Sequence, residues 1–203
     1  MSPILNSLGS LAARAFGFFS APAAVVNGPA GAFEALATVV ADGTTTTITF
    51  TGIPSDYKHL QIRTCVQATG PSGAAVYGGW MRFNGDSGSN YSDHGIYPEG
   101  TTINAYSDVS STNMGGILYT TADATNTLAS TIVDILDYSN TSRYKTMRVF
   151  GGTDINTGAY AWGFASGNWR STNAITSVTI SINTGFGSYY ITSGSKISLY
   201  GVR

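Results

Sequence analysis

From Phe33 onward the sequence is a succession of short runs rich in β-branched and aromatic residues, each closed by a cluster of Gly, Asn, Asp or Ser, with no helical period between them. That texture leaves little room for anything but sheet. The runs are "TTTTITF", "YKHLQIRTCVQA", "AVYGGWMRF", "GGILYTT", "TLASTIVDILDY", "YKTMRVFGG", "AYAWGFASGNW", "AITSVTISI" and "KISLYGV". In the second, Leu60, Ile62, Val66 and Ala68 share one face and His59, Gln61, Arg63 and Gln67 the other, the alternation of a half-buried strand. Roughly ten strands in about 170 residues predict an all-β antiparallel β-sandwich, and eight or more in one domain predict a jelly-roll-like one. No repeat of fixed period points to a solenoid or propeller. In "RFNGDSG", Asn84-Gly85 predicts a hairpin into a strand that begins near Asn90, because both residues tolerate positive φ.

Charge narrows the choice of partner. Only 10% of the 203 residues are charged, with a formal net charge of −1, against about 25% in an ordinary soluble chain. Such a chain has no field or Lys/Arg cluster to track a phosphate backbone, so nucleic acid is not expected. Gly and Ser interrupt every apolar run before the about eighteen residues that spanning a bilayer requires, so membrane insertion is not expected either. The one cysteine, Cys65, excludes an internal disulfide. Two sequons, Asn90-Tyr91-Ser92 and Asn140-Thr141-Ser142, carry little weight in a chain so rich in Ser and Thr.

The first 22 residues are of another kind. "SPILNSLGSLAARAFGFFSAP" is apolar and almost uncharged, and its only positive charge, Arg14, sits against the apolar run, the wrong arrangement for a secretory signal. Ser2-Pro3 suits a helix start, and Ile4, Leu8, Leu11, Ala15 and Phe18 form one apolar helical face, but Gly9 and Gly17 weaken it. An extended or partly helical N-terminal anchor is predicted. Burying five or six such side chains is worth about 10 kcal/mol, against on the order of 20 kcal/mol to order some twenty residues. A partner must therefore add backbone hydrogen bonds or avidity. The expected organisation is an anchor over 1–22, a Pro/Gly linker over 23–32 and the sandwich over 33–203, with Ile4, Leu5, Leu8, Leu11, Phe16, Phe18 and Phe19 as the docking residues.

Groups able to do bond chemistry are few. There are two histidines, His59 and His94, and no HExxH, GxSxG, P-loop or CxxC pattern. Cys65 lies mid-strand without a His partner at a fixed offset and reads as a packed or edge-facing thiol. Asp86, Asn90, Asp93 and His94 in "NGDSGSNYSDHG" offer oxygen ligands at the wrong spacing for an EF-hand, so a hairpin with Asx turns is expected rather than a metal site. Asp134 and Asp137 are three apart, which in a strand puts them on opposite faces, useless as an acid–base pair. No cofactor or metal is expected, and no enzymatic activity. Trp80 and Trp162 are assigned to the core. Trp169-Arg170 and Tyr189-Tyr190, beside turns, are candidates for a protein interface or for stacking on glycan, core packing being the alternative.

Five segments in order, "FEALATVVADGTTTTITFTGIPSDYKHLQIR", "MRFNGDSGSNYS", "IVDILDYSNTSRYKTMR", "SGNWRSTNAITSVTI" and "KISLYGVR", resemble virion structural proteins of tailed bacteriophages, and the opening "NSLGSLAARAFGF" looks like N-terminal segments of phage tail and fibre proteins. The resemblance implies a virion component with a β-sandwich body and no assigned catalytic residues. It places the chain at the tail, as a fibre, baseplate or collar component. A capsid decoration protein and a host-glycan-binding adhesin module are the alternatives. The partners expected are other virion proteins and further copies of the chain, a homo-oligomer that in a fibre would be a trimer.

Overall fold

The computed structural model describes residues 31–69, 76–99, 101–117, 119–121, 127–154, 160–182 and 189–203. The anchor residues Ile4 to Phe19 lie outside the described residues, as does most of the linker. The described residues form strands joined by turns, bends and irregular segments, without a helix.

Eight strands form the large sheet, in the spatial order β1 (Phe33–Val40), β14 (Lys196–Val202), β3 (His59–Val66), β9 (Ala129–Leu136), β10 (Lys145–Asp154), β11 (Tyr160–Trp169), β6 (Tyr91–Glu99) and β7 (Thr102–Ser111). A four-stranded sheet runs β2 (Thr47–Phe50), β12 (Val178–Ile182), β5 (Val76–Phe83) and β8 (Tyr119–Thr121). Two short strands, β4 (Ala68–Thr69) and β13 (Tyr190–Ile191), pair at a corner. All these pairings are antiparallel.

This is a jelly roll with an extension. Taken in chain order, β1, β2, β3, β5, β8, β9, β12 and β14 are eight framework strands that pair first with eighth, second with seventh, third with sixth and fourth with fifth. A long hairpin rolled across two sheets gives that order. Two further hairpins, β6–β7 between β5 and β8 and β10–β11 between β9 and β12, add to the free edge of β9, so only the large sheet grows.

Alternation sends one side of each framework strand inward. In β3, Leu60, Ile62, Thr64 and Val66 are buried, as the sequence predicts, and in β9 Ala129, Thr131, Val133 and Ile135 are. Of these, Leu60, Ile62, Val66, Val133 and Ile135 meet Ile48 and Phe50 of β2, Met81 and Phe83 of β5, and Val178 and Ile180 of β12 in one core. Each large apolar side chain buried there contributes about 1.5–3 kcal/mol. The segment after β7 passes under the extension, where Met114 bridges to Met81 and carries its own side chain and that of Ile117 into the core.

The Asn84-Gly85 turn forms, but not a hairpin. Both residues have positive φ, 51° and 67°, and the Asp86 N–H donates to the Phe83 carbonyl at 2.8 Å. The strands on either side belong to different sheets, however, so the turn is a corner between layers. The Asn84 side chain decides this, because it is committed to another segment: its amide donates to Ala174 O at 2.8 Å and its Oδ1 accepts from the Thr176 and Ser177 N–H groups.

Candidate functional site

The outer face of the large sheet, turned away from the small one, carries side chains in register rows across the strands. One row runs Arg63, Ile132, Phe150, Phe164, Ile96, Ala105 on β3, β9, β10, β11, β6 and β7. Its four central members are apolar and open: Ile132 is 40% exposed, Phe150 53%, Phe164 50% and Ile96 41%. The rings of Phe150 and Phe164 stack with centroids 4.7 Å apart, and Trp162, half-buried on the same face, meets Phe164 edge-on at 6.1 Å. Contiguous apolar side chains on an open sheet are uncommon on a monomer and mark contact surfaces.

The next row is polar: Gln61, Asp134, Arg148, Ser166, His94, Ser107 on the same six strands. The Gln61 amide donates to Asp134 at 2.8 Å, Arg63 Nε donates to Gln61 at 2.6 Å, and Arg148 lies 3.4 Å from the other Asp134 oxygen. Being exposed, the ion pair adds little stability. It fixes the side chains instead. The Arg63 guanidinium sits 5.3 Å from the ring centroids of both Phe33 and Tyr200, closing one end of the apolar row. Between the rows lie two shallow depressions, about 590 Å³ bounded by Ile132, Asp134, Arg148, Phe150 and Phe164, and about 350 Å³ bounded by His94, Ile96, Ala105 and Phe164.

The interface candidates read from the sequence, Trp169, Arg170, Tyr189 and Tyr190, fall outside these rows. Trp169 is 2% exposed and Tyr189 1%, so neither ring is presented to solvent. Trp169 takes the inward position of β11, stacks on Tyr91 at 6.4 Å, packs on Phe83 at 5.5 Å and donates its indole N–H to Asp86 at 2.7 Å. Arg170 is half-buried and donates to Ser89 O at 2.6 Å, pinning the turn after β5. Tyr190 alone is open, 41% exposed. Conversely, Trp80 and Trp162, assigned to the core from sequence, sit half-buried on outward faces, Trp80 under the Arg82 guanidinium at 4.5 Å.

Of Asp86, Asn90, Asp93 and His94 only the first two meet. Asp86 accepts from Gly88 N–H, the Asn90 amide and the Trp169 indole. Burial would raise its pKa, but these donors outweigh it and hold it below the usual carboxylate range. Asp93 points into the core, 2% exposed, while His94 points to the outer face. Among the described residues no group of three His, Cys, Asp or Glu could hold a metal ion. Asp134 lies on the outer face and Asp137 in the turn beyond β9, where φ is 47° and its N–H donates to His59 Nδ1 at 3.0 Å. A ring nitrogen that accepts carries no proton, so the 3.7 Å approach of the Asp137 carboxylate to it is no ion pair in that state. Cys65 is an exposed free thiol on the outer face.

Sequence reasoning missed the apolar row, although a signal was present. In "TIVDIL", "RVFGG" and "GFAS" an outward apolar residue stands directly beside an inward one (Ile132-Val133, Val149-Phe150, Phe164-Ala165), and a strand apolar on both faces is covered on both. The chain matches no protein-family model and no curated protein.

Proposed function

We propose that this chain is a non-enzymatic structural component of a bacteriophage virion, associated with the tail as part of a fibre, baseplate or collar. It is held through residues 1–22 and displays the jelly roll beyond them. The observation that carries the assembly reading is the apolar row Ile132, Phe150, Phe164, Ile96 on a sheet face with few charges. Covering four half-exposed side chains is worth about 3–6 kcal/mol, a gain open to a neighbouring surface and taken by none of the described residues. In the polar row beside it Gln61 and Arg148 both hold Asp134, which suits that carboxylate to contact rather than to bond-making.

The phage assignment is supported by the resemblance. Its five segments fall on β1 to β3, β5 and β6, β9 and β10, β11 and β12, and β14, so they span the framework strands apart from β8. In this reading the protein works as one of several copies beside other virion proteins, as a trimer if it belongs to a fibre. Deleting residues 2–22 should leave a folded protein that no longer enters particles; incorporation at the normal level would overturn the anchoring role. Immunogold labelling of particles with an antibody to residues 33–203 tests the location. Label on the tail is expected, label over the capsid would make the chain a decoration protein, and unlabelled particles would remove the virion reading.

A further inference from the structure

We propose that two copies of this chain pack outer face to outer face, about a two-fold axis that runs parallel to the strands midway between β10 and β11. The inference rests on the reading of this face as a covered assembly surface, and it names what covers it.

The apolar row reads the same from both ends: Ile132, Phe150, Phe164, Ile96. Such an axis reverses the row onto itself. Ile132 then meets the partner's Ile96, and Phe150 the partner's Phe164. An isologous interface requires this self-matching, whereas an unrelated partner does not.

The polar row obeys the same operation. Reversed, it sets Asp134 against the partner's His94, Arg148 against the partner's Ser166 and Gln61 against the partner's Ser107. Arg63 meets the partner's Ala105. No like charges are opposed, and the Asp134 carboxylate faces an imidazole able to donate to it or pair with it.

The size is adequate for a moderate dimer. Six strands about 4.8 Å apart and three rows about 7 Å apart, the third being Cys65, Ser130, Gly152 and Trp162 on the far side of the apolar row, give on the order of 600 Å² per copy, against roughly 800 Å² per partner in a standard interface. A dissociation constant in the micromolar range is expected, tightened where an assembly concentrates the copies. A sugar is a poorer match, because aliphatic Ile132 and Ile96 flank the two rings and the Gln61 amide already donates to Asp134.

Sedimentation velocity on the full chain, from about 1 to 200 µM, tests this. A monomer–dimer equilibrium is expected, weakened at least tenfold by Phe150→Ser with Phe164→Ser. Both residues are half-exposed, and circular dichroism checks that the variant folds. Asp134→Lys should also weaken the dimer by opposing Lys to the partner's His94, and adding His94→Asp should restore it. That rescue is specific to the reversed row and does not depend on the Phe variants. A chain monomeric throughout, a dimer indifferent to the Phe pair, larger species without a dimer, or failure of the rescue would each overturn the proposal. So would a monomer that binds host-surface polysaccharide through Phe164, which would give the face to glycan. Particle incorporation is scored separately, so a dimer absent from particles keeps this inference and removes the virion reading.

Discussion

Asp86 ties together a corner that neither sheet would hold alone. Its carboxylate takes the Trp169 indole N–H at 2.7 Å, the Gly88 N–H at 2.8 Å and the Asn90 amide at 3.0 Å, binding the end of β11 to the turn between the layers. Asp86→Ala leaves the buried indole N–H without its acceptor and is expected to cost about 1–3 kcal/mol. Urea unfolding followed by tryptophan emission measures that, and an unchanged midpoint would contradict it. Asp93 is the opposite case, because burial, and next in the same direction the Asp108 charge, raise its pKa despite the nearby Gly115 N–H and Tyr106 hydroxyl. The sign follows from linkage. As pH rises past the ordinary aspartate value the unfolded chain gives up the proton while the folded chain resists, so stability falls until the raised folded pKa is passed. Asp93→Asn should therefore melt higher than the parent at pH 7, the gap narrowing toward pH 4; a constant or reversed gap would show that burial does not dominate.

Among the elements, β14 shows how closely the framework is fitted. It lies between β1 and β3, and its Gly201 sits against the ring of Tyr57, so that a Cβ there would come within 2.4 Å of a ring carbon. Gly201→Ala should cost about 1–3 kcal/mol by overpacking, whereas Gly78→Ala in β5, with nothing within 4 Å, should stay within about 0.5 kcal/mol. Comparing the two thermal midpoints separates close packing from glycine's general effect. The strands that sequence reading recovered are those whose alternation is strong, such as β3 and β9. It gave no outline for β7, because Thr102–Ser111 is almost wholly exposed and has no apolar period to detect. It assigned Asn84-Gly85 to a hairpin because local turn chemistry is the same whether the next strand pairs or crosses to the other layer. Lys145 was equally illegible. A lysine at an inward position reads as a break in the core, yet it is fully buried, its ammonium donating to the carbonyls of Asn140, Arg143 and Thr172.

At the scale of the molecule, the two inserted hairpins decide what the protein offers to its surroundings. A bare eight-strand roll would end its large sheet at β9. Adding β10, β11, β6 and β7 widens one face and brings Phe150, Phe164 and Ile96 into line with Ile132. The fold class was legible because strand runs and turn clusters repeat from Phe33 to the end of the sequence. The face was not, because its residues come from four strands, of which β6 and β9 lie far apart in sequence, and only the register joins them. The register also closes the domain on itself: Phe33 lies opposite Val202, and the Arg203 N–H donates to the Ala32 carbonyl at 3.2 Å. The domain's two ends thus share one doorway. A peptide tag fused after Arg203 would emerge beside Phe33, while a short splice from Arg203 to Phe33 would let the domain be reopened at a distant loop, giving a circular permutant whose new ends lie away from this edge.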